Sequence, residues 1–222
     1  ELKNYPLYEV TPVHSVRELL KIAEDEAADK IAFRYRVNAD TIHDITYREF
    51  IRDVYAIGSA LTEKGLIDAH IAQIGENSYR WITVYLAALA GDGVYVPVDK
   101  DLPEADILNI LNHSDSTVLF YSKNYDDLVK RNADGALSRI KLFVRVVNDD
   151  LASDEDCRAD YFVEDPRFVS YRDFTAHGHA LLEEGYDKFD AHVSGEYDLK
   201  MIVYTSGTTG LAKGGMLSEH NL

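Results

Sequence analysis

Residues 71–96, Ile71-Ala-Gln-Ile-Gly-Glu-Asn-Ser-Tyr-Arg-Trp-Ile-Thr-Val-Tyr-Leu-Ala-Ala-Leu-Ala-Gly-Asp-Gly-Val-Tyr-Val96, decide the fold. Ile71-Ala72-Gln73-Ile74 reads as a short strand, and Glu76-Asn77-Ser78 supplies a turn and a helix cap. Trp81 to Ala90 reads as a largely apolar helix, and Val94-Tyr95-Val96 as a strand again. Strand, helix and strand in that order form a βαβ crossover. A helix apolar nearly all round must be covered on several sides, which points to a parallel sheet with helices on both faces.

Outward from this unit the same alternation continues. Upstream, a helix is predicted at Val16 to Glu26, short strands at Ile31 to Tyr35 and around Asp44 to Thr46, then a helix on Phe50, Val54, Ile57 and Leu61 that Gly65 stops. Downstream, a helix from Pro103 to Leu111 precedes the strand Val118 to Tyr121, and a helix from Asp126 to Arg131 precedes the strand Leu142 to Val147. The acidic segment Asn148 to Asp160 reads as an exposed loop. Tyr171 to Glu184 returns to helical spacing, and Leu199 to Tyr204 is the last clear strand. The fold class is therefore α/β, a doubly wound and mostly parallel sheet with helices on both faces, without repeats or a flexible linker.

Composition narrows the function. The 222 residues are 46% hydrophobic and carry a formal net charge of -16, from 23 Lys plus Arg against 39 Asp plus Glu. Such a field repels a phosphate backbone, and the nearest basic run, Lys130-Arg131, is a bare pair, so nucleic acid is not the expected partner. Cys157 is the single cysteine, which precludes an intrachain disulfide or a thiolate cluster and fits a reducing, cytoplasmic setting. The longest apolar run, Trp81 to Ala90, is far short of the ~20 residues of a membrane span, and Glu1-Leu2-Lys3-Asn4 lacks the order of a signal peptide.

The chemistry concentrates immediately after the last strand, in Thr205-Ser206-Gly207-Thr208-Thr209-Gly210-Leu211-Ala212-Lys213-Gly214-Gly215. Hydroxyls, backbone amides freed by glycine and one fixed cation are the groups that hold polyphosphate. The bland reading is a solvated connection, which composition alone does not exclude. The spacing does exclude a nucleoside triphosphatase loop: that pattern, Gly-x-x-x-x-Gly-Lys-[Ser/Thr], does not fit Gly207, Gly210 and Lys213, and Gly214 stands where its metal-binding hydroxyl belongs. A dinucleotide fingerprint is lacking too, since Gly91-Asp92-Gly93 opens a strand.

Tyr204 to Leu222, YTSGTTGLAKGGMLSEHNL, closely resembles the phosphate-binding signature of the AMP-forming adenylating superfamily, which includes acyl-CoA synthetases, luciferases and peptide-synthetase adenylation domains. Ile45-Thr46-Tyr47-Arg48-Glu49-Phe50 and Gly93-Val94-Tyr95-Val96-Pro97-Val98-Asp99 are similar to two earlier motifs of that family, in the family's order. The wording Gly75-Glu76-Asn77-Ser78-Tyr79-Arg80-Trp81 leans toward long-chain acyl-CoA synthetases. The sequence departs from the pattern at Ala212, usually proline, at Gly215, usually valine, and at Glu219, usually histidine.

The resemblance implies an acid–thiol ligase. ATP with Mg activates a carboxylic acid, a fatty acid being favoured, to an acyl-adenylate, and a thiol of coenzyme A or of a carrier protein then takes the acyl group. It implies that Thr205, Ser206, Gly207, Thr208, Thr209, Gly210 and Lys213 hold the ATP phosphates, with no catalytic or metal-binding residue assigned. Family members are more than twice as long, so residues 1–222 are expected to be part of a large N-terminal domain. The rest of that domain and a mobile C-terminal domain would be absent, and the fragment inactive alone. Such truncation would expose apolar faces and favour self-association. The alternative is a nonenzymatic α/β module that binds nucleotide or protein. His177-Gly178-His179, Asp126-Asp127 and Asp154-Glu155-Asp156 read as polar surface rather than metal or acid–base sites.

Overall fold

The computed structural model describes residues 11–163, 165–191, 194–205 and 213–222. Helix α1 (Val16–Ala27) is capped by Ser15, whose hydroxyl accepts from Glu18 N. Strands β1 (Ile31–Arg36) and β2 (Ile42–Thr46) pair as a separate antiparallel hairpin. Helix α2 (Tyr47–Glu63) begins on a capping box between Thr46 and Glu49, and Gly65, at φ +67°, turns the chain out of it.

The βαβ unit predicted from residues 71–96 is present: β3 (His70–Ile74), α3 (Tyr79–Ala90, capped by Ser78) and β4 (Val94–Val98), with β3 and β4 parallel. After α4 (Glu104–His113) come β5 (Val118–Ser122), α5 (Asp126–Asn132), β6 (Leu142–Val146) and the short α6 (Asp154–Cys157). Then follow β7 (Phe168–Ser170), α7 (Tyr171–Glu183), β8 (Leu199–Thr205) and β9 (Lys213–Ser218). Among the described residues the large sheet has seven strands in the order β7-β6-β5-β3-β4-β8-β9, all parallel except β9.

This order divides the helices between the two faces. Crossovers β3 to β4 and β7 to β8 move one way along the sheet and carry α3 and α7; crossovers β4 to β5 and β5 to β6 move the other way and carry α4 and α5. Two apolar cores result. Val118 and Phe120 of β5 pack with α2, α3 and α7, whereas Leu119 and Tyr121 of the same strand pack with α4 and α5. The strict alternation explains why strands buried on both faces read as continuous apolar runs.

Three expectations are corrected. Strands β7 and β9 were not foreseen. The segment 148–160 is not a plain exposed loop: it forms α6 on a Ser153–Asp156 capping box and buries Cys157. Asp126 is not solvated surface; it grips the buried Arg145 guanidinium through bonds of 2.6 to 3.0 Å.

Candidate functional site

Ligands of open α/β sheets bind outside the carboxyl ends of the parallel strands. Strand β8 delivers Thr205 to that edge, and β9 leaves it at Lys213, the two residues lying opposite each other in the antiparallel ladder. Thr205 and Lys213 are both exposed, and among the described residues Lys213 has no ion-pair partner. Ser206, Gly207, Thr208, Thr209 and Gly210 lie outside the described residues. The structure therefore brings the two ends of the predicted loop together and places them at the edge of the sheet where a ligand is expected.

Neighbouring features shape that edge. The β4–β8 ladder is registered at Tyr95↔Met201 and does not continue to the carboxyl ends; Pro97, in the intervening stretch of β4, has no N–H to give. Tyr204 lies across Gly214, where a Cβ would stand 2.8 Å from Ile202 Cγ2 and 3.2 Å from Tyr204 Cζ, so glycine is what lets the ring cover β9. The Tyr204 hydroxyl is 2.8 Å from His113 Nδ1, and burial raises its pKa above 10.0. On the next strand end, Tyr125 donates to the Lys100 carbonyl at 2.8 Å and fixes the turn after β4.

The same edge carries a cleft of about 440 Å³ walled by Phe33, Tyr35, Tyr79, Arg80, Asn148 and Asp150. Two of its charges are matched within it: Asp150 accepts from Arg80 at 2.7 Å and from the Tyr35 hydroxyl at 2.5 Å. A larger cavity of about 580 Å³, lined in part by Ser15, Leu19, Glu219 and His220, adjoins the turn after β9, at the end of that strand away from Lys213. His177 and His179 diverge to separate carboxylates, Glu63 at 3.4 Å and Asp53 at 2.7 Å.

Two residues that sequence reasoning left unassigned stand out. Glu219, with a side chain 2% exposed, accepts from Val16 N at 2.7 Å and lies 3.7 Å from Nζ of the equally buried Lys200. Burial lowers the Lys200 pKa, and the Glu219 carboxylate opposes that shift. The signal available in the sequence was a lysine inside the apolar run Leu199 to Tyr204, together with the departure from histidine at 219.

A family model described as AMP-binding enzyme matches residues 20–222. The chain belongs to the AMP-binding enzyme family. This AMP-binding chain is 27% identical over 221 residues to malonate–CoA ligase of Arabidopsis thaliana, a match covering 93% of this chain and 32% of that protein. It is 26% identical to tyrocidine synthase 1 of Brevibacillus parabrevis, over 99% of this chain and 16% of that protein. It is 26% identical to long chain acyl-CoA synthetase 2 of Arabidopsis thaliana, over 79% and 25%. The chain thus spans about a third or less of the length of these relatives.

Among solved structures, the A-PCP didomain of carboxylic acid reductase from Segniliparus rugosus, in complex with AMP, superposes with a TM-score of 0.74 at 19% identity. That match covers 93% of this chain and 31% of that one. An anthranilate CoA ligase in complex with anthranoyl-AMP superposes with a TM-score of 0.67 at 18% identity, over 97% and 36%. At such identities the likeness shows the fold: that of acyl-CoA ligase adenylation domains. Among the described residues no helix is long and apolar enough to cross a membrane.

Proposed function

We propose that the protein containing this chain activates a carboxylic acid with ATP, forming an acyl-adenylate and then a thioester of coenzyme A or a carrier-protein thiol. The observation that carries the reading is the β8–β9 hairpin, which sets Thr205 opposite Lys213 at the carboxyl edge of the sheet with the lysine exposed and unpaired among the described residues. Thr205, Ser206, Gly207, Thr208, Thr209 and Gly210 offer hydroxyls and amides to the β- and γ-phosphates, and Lys213 offsets their charge. Their role is positioning, since none of them is a general base near neutral pH.

The donor set of this hairpin, hydroxyls, amides and a cation, fits polyphosphate and does not fit a metal. Magnesium, when bound with ATP, would supply Lewis-acid stabilisation of the developing negative charge, and no residue of this chain is assigned to it. Residues 1–222 are the first part of a larger adenylate-forming domain, a reading supported by coverage of 32% of malonate–CoA ligase. A fatty acid is favoured by the wording of residues 75–81 and supported by the match to long chain acyl-CoA synthetase 2. The single cysteine, reduced and buried, supports a cytoplasmic location.

The test is calorimetric titration of ATP–magnesium and of pyrophosphate into the chain, beside Lys213→Ala. Loss of one charge-assisted contact, worth about 1.5–3 kcal/mol, weakens both ligands by roughly 10- to 100-fold. Equal affinity in the variant overturns the assignment of Lys213.

A further inference from the structure

The ladder between β8 and β9 contains an irregularity far from the loop. β8 advances from Leu199 to Met201 while β9 moves only from Ser218 to Leu217, so Lys200 is the extra residue of a bulge. The packing agrees. Ile202 and Tyr204 lie against the core shared with α4 and α5, and Met201 and Val203 against the other core. Leu199 packs with Ile202 and Tyr204, out of phase with strict alternation, as one inserted residue demands.

A lysine at a buried bulge must be satisfied. Lys200, 1% exposed, donates to the Gly91 carbonyl that ends α3 and to Ser194 Oγ, both at 2.5 Å, and its charge faces Glu219. Glu219 in turn accepts from Val16 N at the start of α1, while its own backbone N–H donates to the Asp198 carbonyl at 3.1 Å. One pair of side chains thus ties together β8, the turn after β9, α1 and the end of α3. Arg17 reinforces the same junction, donating to the Ala90 and Phe189 carbonyls at 2.5 and 2.8 Å.

We infer that Lys200 and Glu219 are positioning residues: they pin the bulge, and with it the register that sets Lys213 opposite Thr205. The consequence of losing the pin follows from strand geometry. A slip by one residue moves β9 by about 3.3 Å along β8 and turns its side chains to the opposite face. Lys213 then leaves the place where it meets Thr205. Thr205 stands about 17 Å along β8 from Lys200 at the ordinary rise of a strand, so the pair acts on it through the ladder. The inference also explains why a carboxylate stands at 219: its side chain is 2% exposed and faces a buried ammonium group. It rests on the reading of the hairpin as the nucleotide site.

The experiment combines amide hydrogen exchange with the titration of ATP–magnesium, on the chain, Glu219→Gln, and Lys200→Met/Glu219→Leu, which keeps the buried volume without the charges. In both variants the amides of β8 and β9 are expected to exchange about tenfold faster relative to those of β3 and β5. ATP affinity should fall about tenfold in Glu219→Gln and fall no further when Lys213→Ala is already present, as two residues acting through one contact require. A general loss of stability would instead speed exchange in all four strands alike and would overturn the inference. So would unchanged exchange at the hairpin, or affinities that fall independently of Lys213. If the parent chain binds neither ATP nor pyrophosphate, the nucleotide reading fails, and the exchange measurement still decides whether the pair pins the register.

Discussion

Replacing Gly178 by alanine in α7 sets two effects of opposite sign against each other. Alanine is the better helix former by about 1 kcal/mol, so local propensity alone predicts stabilisation. The packing predicts the reverse: a Cβ at position 178 would stand 1.9 Å from the Ala56 carbonyl oxygen, 2.5 Å from its carbon and 2.9 Å from Ala56 Cα. These are backbone atoms inside α2 and cannot rotate away. Restoring a contact of about 3.5 Å parts the helices by roughly 1.6 Å. That interface holds Val54, Ile57 and Phe174 at 0 to 1% exposure and the Asp53–His179 contact at 2.7 Å. Overpacking costs about 1–3 kcal/mol, and a backbone clash belongs at the upper end, leaving a net loss of about 2 kcal/mol. Urea unfolding followed by circular dichroism, with a slope of about 2–3 kcal/mol per molar, should show a midpoint lower by roughly 0.7–1 M. A midpoint equal to or above that of the parent chain refutes the close-packing argument and leaves propensity in control.

Two pH dependences follow from named groups. Burial pushes the Tyr171 hydroxyl, 2.7 Å from Thr83 Oγ1, up to about 12 from its ordinary 10.0. A folded value above the unfolded one gives stabilisation that is complete below pH 10 and lost as pH rises toward 12. Thermal melts of Tyr171→Phe between about pH 9 and 12 should therefore fall less steeply than those of the parent, and parallel curves would contradict this. At the acid end, the Arg158 fork, 2.6 and 2.7 Å away, holds the Asp173 carboxyl below its ordinary 3.8. Its contribution is present above that value and fades as pH falls through the lowered one, so Asp173→Asn should flatten the acid limb of the stability profile. The effect is small, because the side chain is 35% exposed and water screens the pair; an unchanged acid limb would show that the pair contributes nothing.

The parts of this fold legible in the sequence are those whose local preference and tertiary role agree. The run 79–90 reads as a helix covered on several sides because α3 packs against β4, α1 and α2, and β3 to β6 read as strands because both of their faces are buried. Strand β9 was illegible for the opposite reason. Lys213-Gly214-Gly215 has poor strand propensity, and its extended form is imposed by pairing with β8. The ion pair between Asp126 and Arg145 likewise has no local signature, since only the β5–α5–β6 crossover brings the two together. At the candidate site, the sequence named the groups suited to phosphate, and the fold supplied what no motif contains: the register that makes the two ends of the loop neighbours. That register depends on Lys200 and Glu219, residues that look respectively like an intrusion in an apolar strand and a departure from the family pattern. Each is costly to bury alone and is accommodated because the other is there. The two residues therefore have to be read as one feature: making either one uncharged alone leaves the other charge buried without its counter-ion.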